Sequence, residues 1–314
     1  MNKQSTKLST KLSHSPWAIA ALLTNALVWG LSWIPFRFLA DRGVHSLWAT
    51  AMMYGIVVFG LITMLFFRAS ATNPDGSKLP RPWLALTALM VSAGITNCAF
   101  NWAVTIGDIV RTVLLFYLMP IWTLLLARWF LKEPLNLGSW LRIGLCLAGA
   151  VLVLTPHGQP FGFPVPKSLA DILGVIGGIG FAATNVALRA CSNSEARSSD
   201  ITLAMFSGGA ILPGALALAL TLNGTLSFPP APQIAWMGAV IILAIAFLFG
   251  NLALQYGASR LPASIIAAIM PSEVVFASVS AAWLAGEALT PQLLIGGCLI
   301  LSAALLSMFD KQTH

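Results

Sequence analysis

The sequence predicts an all-α membrane protein of ten transmembrane helices in two inverted five-helix repeats. Three observations predict it. The 314 residues are 58% hydrophobic and only 9% charged, where a soluble domain carries roughly 25% charge. Apolar runs about as long as a spanning helix needs, ~20 residues, recur along the chain. The second half echoes the first.

The spans read as 17–39, 46–67, 83–105, 111–131, 138–155, 169–189, 200–222, 234–256, 262–284 and 291–309. Turn chemistry separates them. The breaks carry Asp41-Arg42-Gly43, Asn73-Pro74-Asp75-Gly76, Gly107-Asp108, Glu133-Pro134, a Gly/Pro-rich stretch from Pro156 to Pro166, Asn223-Gly224, Pro229-Pro230 and Gly257 to Pro262. The first run follows a polar segment with Lys3, Lys7 and Lys11 and has no small-residue cleavage site, so it reads as a retained span.

Orientation follows from Lys and Arg. With the amino terminus in the cytoplasm, Lys3, Lys7, Lys11, Arg68, Lys78, Arg81, Arg128, Lys132, Arg142, Arg189, Arg197, Arg260 and Lys311 lie inside. Arg37, Arg42, Arg111 and Lys167 lie outside. Ten spans return the carboxyl terminus to the cytoplasm. Trp17, Trp48, Trp83, Trp140 and Trp236 fall near span ends, as an interfacial belt would. The basic residues are scattered singly between apolar runs, which argues against a nucleic-acid surface. Cys98, Cys146, Cys191 and Cys298 suggest no disulfide framework.

The echo is specific in its order. Asn101, Ala103 and Gly107 return as Asn251, Ala253 and Gly257, and Met119-Pro120 as Met270-Pro271. Trp129-Phe-Leu-Lys-Glu133 returns as Trp283-Leu-Ala-Gly-Glu287; Gly30 matches Gly180 more weakly. Five spans per unit is odd, so the second unit inserts upside down, a frequent plan of secondary transporters. The organisation is a tail over 1–16, a first repeat over 17–155, a linker over 156–168, a second repeat over 169–309 and a tail over 310–314.

These segments resemble the drug/metabolite transporter superfamily, in its bacterial ten-span exporter branch with two EamA repeats. Trp283-Leu-Ala-Gly-Glu287-Ala-Leu-Thr290 followed by Ile295-Gly296-Gly297, the shorter Trp129 to Leu135 echo and Trp29-Gly30 carry the resemblance. It implies a secondary-active exporter of a small metabolite, such as an amino acid or a toxic analogue, in the bacterial inner membrane. Alternating access would run through a central cavity between the repeats. The partners implied are a small solute, protons as candidate coupling ion, and the lipid bilayer. A monomer is compatible with the sequence, which leaves the oligomeric state open. Four-span relatives carry a Glu in their first span; here span one has none, so that site is not carried over.

Within this frame the candidate substrate or coupling residue is Glu273, which opens an apolar run after Met270-Pro271-Ser272. A carboxylate inside a span pairs, takes up a proton or faces a wet cavity. The alternative is a structural Glu hydrogen-bonded to Ser272, Ser278 or a neighbouring helix. Pro120 and Pro271 each remove a helix hydrogen bond and can kink spans four and nine. Asn97 with Asn101, and Asn251 with Gln255, lie one turn apart in spans three and eight, as interhelical glue or as a polar pocket lining. Asn25 and Asn185 are weaker members of this set. Trp29, Trp33, Tyr117 and Trp122, with Phe36, Trp102, Phe116 and Tyr256, offer either core packing or an aromatic box for a flat or cationic solute. Arg37 and Arg111 either snorkel outward or pair with Asp41 and Asp108 as an external gate. Glu133 and Glu287 read as residues that cap or pin turns.

No cofactor or metal is expected, since His14, His45, His157 and His314 all lie outside spans and no P-loop occurs. The competing readings are a passive facilitator or channel of the same fold and, with less support, an intramembrane enzyme. The latter lacks a nucleophile–base cluster.

Overall fold

The structure, a computed structural model, describes residues 16–71, 82–131, 137–155, 165–194, 196–261 and 263–306. Glu133, Lys78, both tails and most of the linker lie outside the described residues. Among the described residues every regular element is helical. The order is α1 (Pro16–Leu31), α2 (Trp33–Ala40), α3 (Ser46–Ala71), α4 (Trp83–Ile106), α5 (Ile109–Phe116), α6 (Met119–Leu126) and α7 (Leu137–Leu154). Then come α8 (Leu169–Asn193), α9 (Ser198–Leu222), α10 (Ile234–Ala258), α11 (Ala263–Ile269), α12 (Ser272–Ser280) and α13 (Pro291–Leu306).

Among the described residues eight helical stretches are long and apolar enough to cross a membrane, from Pro16–Ala40 to Ile234–Gly257. Two shorter apolar helices follow, Ser272–Ala285 and Pro291–Leu306. Helix satisfies every backbone group within the segment, which hydrocarbon requires. Large side chains such as Phe59, Leu84, Ile234 and Trp283 point outward, as lipid-facing positions do. The tryptophan belt is narrower than expected. Trp17, Trp83 and Trp140 are exposed. Trp236 is buried and donates to the Ala231 carbonyl, while Trp48 donates to Thr221 Oγ1. Their indole N–H groups are satisfied within the protein and need no interface.

Three spans are interrupted beside a proline, whereas Pro213 lies inside the continuous α9. Span one, read as continuous, is interrupted at Ser32, between α1 and α2. Pro35 has no N–H for the Leu31 carbonyl. The chain responds with a tight turn, Ser32 N–H and Oγ both bonding the Trp29 carbonyl at 3.2 and 2.7 Å. Spans four and nine are likewise divided, at Tyr117-Leu118 and Met270-Pro271. After each break the helix resumes and ends in one π-helical turn, Ala127–Leu131 in the first half and Ala281–Ala285 in the second. The two breaks are offset by 153 residues and the π turns by 154.

Tertiary packing crosses between the halves. α4 lies against α8 and α9, α3 against α9, α1 against α10 and α12, and α7 against α13. The α7–α13 crossing needs two glycines: a Cβ on Gly149 would stand 2.6 Å from the Gly296 carbonyl oxygen, and one on Gly296 would stand 2.9 Å from that of Gly149.

Candidate functional site

The two interrupted helices meet. At the first break Pro120 cannot donate to the Phe116 carbonyl, and the chain tightens, with Leu118 N–H on the Leu115 carbonyl and Ile121 N–H on the Leu118 carbonyl. At the second, Glu273 N–H turns back onto the Met270 carbonyl at 3.1 Å. Tyr117, in the first break, places its Oη 3.1 Å from Glu273 Oε2 and 3.1 Å from the Met270 carbonyl oxygen. Its one proton is shared between them. Tyr117 and Glu273 are both buried.

Glu273 is the second residue of α12. Among the described residues no Lys or Arg lies within ion-pair distance of it. Two further polar atoms flank the breaks, buried and without a hydrogen-bond partner among the described residues: Trp122 Nε1, in α6 just past the first, and Ser272 Oγ, beside Glu273. Glycine admits the neighbouring spans. A Cβ on Gly178 of α8 would stand 2.6 Å from the Phe116 carbonyl oxygen, and one on Gly30 of α1 would stand 2.7 Å from that of Glu273.

Aromatic rings from most of the long spans converge on the first break. Trp29 packs on Phe247 and Phe100 at 4.8 and 5.9 Å between centroids. Phe100 meets Phe116 at 4.8 Å, and Phe116 meets Phe181 at 5.4 Å. Tyr54 joins through Phe206 and Phe247. Trp33, beyond the bend at Ser32, leaves this wall and donates to Ser280 Oγ at 3.0 Å. The rings of Tyr54, Phe100, Phe181, Phe206 and Phe247 were not legible as site residues. An aromatic in an apolar run looks the same whether it faces lipid or core.

The amides behave unequally. Asn97 accepts from Tyr54 Oη at 2.6 Å and donates to the Ala93 carbonyl. Asn101 donates to Thr50 Oγ1 at 3.1 Å and keeps its buried Oδ1 without a partner. Both therefore tie α4 to α3. Asn25 donates across to the Gly250 carbonyl. Asn251 is half-buried and bonds only its own helix, at the Phe247 carbonyl, while Gln255 is exposed. Tyr256 is exposed too, with Arg260 stacked on its ring at 3.8 Å.

The arginines find partners other than those expected. Asp41 is exposed, and Asp108 is occupied in capping α5, accepting the backbone N–H of Arg111 at 2.8 Å. Arg111 instead grips Asp171 of α8 in a two-pronged pair at 2.8 and 2.9 Å. Arg37 donates to the Gly107 and Val104 carbonyls and stands 3.4 Å from Glu287 Oε1. Glu287 follows Gly286, whose φ of +68° turns the chain. Its carboxylate takes the N–H groups of Ile109 and Val110 at 2.8 and 3.2 Å. A residue of the second half thus caps an interrupted helix of the first. Burial pushes the Glu287 carboxyl above its ordinary range, against the pull of these N–H groups and Arg37. A cleft of about 510 Å³ at this end is lined by Gly107, Asp108, Arg111, Lys167, Ser168 and Asp171, among others.

An apolar helical bundle with interrupted helices that bring a buried carboxylate to their breaks defines a class of protein, the multi-pass membrane proteins that handle solutes within the bilayer. The chain belongs to the EamA-like transporter family, whose model matches residues 16–155 and 168–309. It is 24% identical over 170 residues to a Rickettsia felis (strain ATCC VR-1525 / URRWXCal2) protein named S-adenosylmethionine uptake transporter; the match spans 54% of this chain and 53% of that one. This chain therefore aligns with about half the length of that relative. A solved structure titled "Crystal structure of protein" shares the fold, with a TM-score of 0.57 at 18% identity over 92% of this chain and 96% of the other.

Proposed function

We propose that the chain is a secondary-active transporter of the bacterial inner membrane, with ten spans in two inverted units over 17–155 and 169–309 and both termini in the cytoplasm. It exports a small metabolite by alternating access. The observation that carries this reading is the meeting of the two interrupted helices at Tyr117 and Glu273. Each half contributes one break to a single buried polar point, so a solute bound there touches both halves at once. A movement of one half against the other then changes which side that point faces. Glu273 serves as substrate partner or coupling site, and the ring wall around Trp29 holds the solute's apolar part. Arg37, Glu287, Arg111 and Asp171 form the gate that is closed in this conformation.

The test is transport by oriented vesicles. Inverted vesicles holding the protein should concentrate the substrate when a proton gradient or membrane potential is applied, and Glu273→Gln should abolish this. Equilibration without concentration would make the protein a facilitator. One observation favours the opposite direction: the Rickettsia relative is named for uptake. Accumulation in right-side-out vesicles would assign that direction here.

A further inference from the structure

We infer that the solute of this site is an organic cation with a hydrogen-bond acceptor, and that its positive charge takes the place of the Tyr117 hydroxyl on Glu273. The inference rests on the transporter reading above and adds to it the substrate class and the event that unties the two halves.

The charge argument comes first. Glu273 is buried at the start of α12, and the one side-chain partner on its Oε2 is a neutral phenol. A neutral hydroxyl is the weaker kind of partner for a carboxylate. A full positive charge beside a buried carboxylate adds a Coulomb attraction that a neutral hydroxyl lacks, whether or not the cation carries a proton to donate, so a cation wins the exchange and an uncharged donor does not. The surroundings fit the same guest. The rings of Trp29, Phe100, Phe116 and Phe247 pack in a connected run of tilted and edge contacts that ends on Tyr117, and ring faces attract an ammonium or sulfonium. Trp122 Nε1 can only donate, and Ser272 Oγ is free to donate. Both are buried without partners among the described residues at the edges of the breaks, and both would be satisfied by acceptor oxygens or nitrogens on the same solute.

The exchange has a structural consequence. The Tyr117 hydroxyl is the group that bonds the second half's break, through Glu273 and the Met270 carbonyl together. A cation on Glu273 leaves Tyr117 with the Met270 carbonyl alone. The bound state then differs from the empty one in how firmly the breaks are joined, which is the differential interaction that a conformational shift requires.

The experiment uses the purified full chain in detergent and matched pairs of probes. S-adenosylmethionine is paired with S-adenosylhomocysteine, which lacks the sulfonium charge, and choline with its uncharged isostere 3,3-dimethylbutanol. Apparent affinities come from the ligand-induced rise in melting temperature. At least one cation should bind and exceed its partner. Tyr117→Phe removes the competitor for Glu273, so that cation should bind about five- to tenfold more tightly, the equivalent of one hydrogen bond. Glu273→Gln should erase the difference within the pair. Weaker binding in Tyr117→Phe, equal binding of both members of each pair, or no binding of either cation overturns the inference.

Because Tyr117→Phe removes a core contact, the wild type supplies an independent reading. Amide hydrogen exchange at residues 116–119 and 270–273 should quicken when the cation binds, and slowing at both breaks would refute the exchange of partners. Failure here is separable from failure of the transporter reading. Vesicles that concentrate a neutral or anionic metabolite, with no cation bound, keep the transporter and remove this inference. Cation binding without transport does the reverse.

Discussion

Replacing Glu287 with Ala should open the proposed gate at the Arg37 and Arg111 end of the bundle. The carboxylate accepts two backbone N–H groups at the start of α5 and lies 3.4 Å from Arg37. Each bond to the helix start contributes about 1 kcal/mol net, and loss of a cap alone typically costs ~1 kcal/mol. The Arg37 pair, whose side chains are 29% and 11% exposed, adds at most about 1 kcal/mol, and Arg37 keeps the Gly107 and Val104 carbonyls. The closed arrangement should therefore lose about 2–3 kcal/mol, roughly a 30- to 150-fold shift in the closed-to-open ratio. The assay is maleimide labelling of Val113→Cys, a position 2% exposed and about one turn inside α5. The background replaces Cys98, Cys146, Cys191 and Cys298. Labelling should accelerate by about that factor in Glu287→Ala. An unchanged rate with an unchanged melting temperature would refute the clamp.

Three other outcomes follow from the same geometry. Because the folded Glu287 carboxyl titrates above its ordinary value of 4.5, the folded state holds the extra proton. Its contribution to stability is complete below about pH 4.5 and is lost as pH rises through the raised value; melting curves of wild type against Glu287→Gln should converge at the acid end, and a difference that instead grows towards low pH would contradict the sign. Gly178→Val should destabilise by about 1–3 kcal/mol by pushing α8 from the Phe116 carbonyl, read as a lower midpoint of thermal unfolding, whereas the same change at Gly144, which has open space beside it, should not act through such a clash. Asn101→Leu should cost about 0.5–1.5 kcal/mol, the net contribution of its bond to Thr50 Oγ1, since Thr50 still donates to the Ser46 carbonyl, while Asn251→Leu, which loses only a bond within its own helix, should change stability by less than about 0.5 kcal/mol; equal effects in the two would mean the repeat-related amides do the same work.

Composition and span length settled the all-helical membrane character, because hydrocarbon leaves the backbone no other way to satisfy itself. The Met-Pro and Trp-x-x-x-Glu echoes told where the two related units lie, since proline acts on its own helix and its effect is written locally. Glu273 stood out for the same reason: a charge inside an apolar run is costly wherever the chain goes. Its meaning was not local. That Tyr117 reaches it, that Trp33 turns away to Ser280, and that Arg37 and Arg111 pass over Asp41 and Asp108 for Glu287 and Asp171 all depend on which helices lie side by side. Asn101 and Asn251 make the point most clearly. The repeat gives them the same place, yet one is buried against Thr50 and the other is half-exposed on α10. A repeat in sequence fixes the address of a side chain on its own helix, while its partner is chosen by the neighbouring helix, and in this conformation the two halves do not have equivalent neighbours.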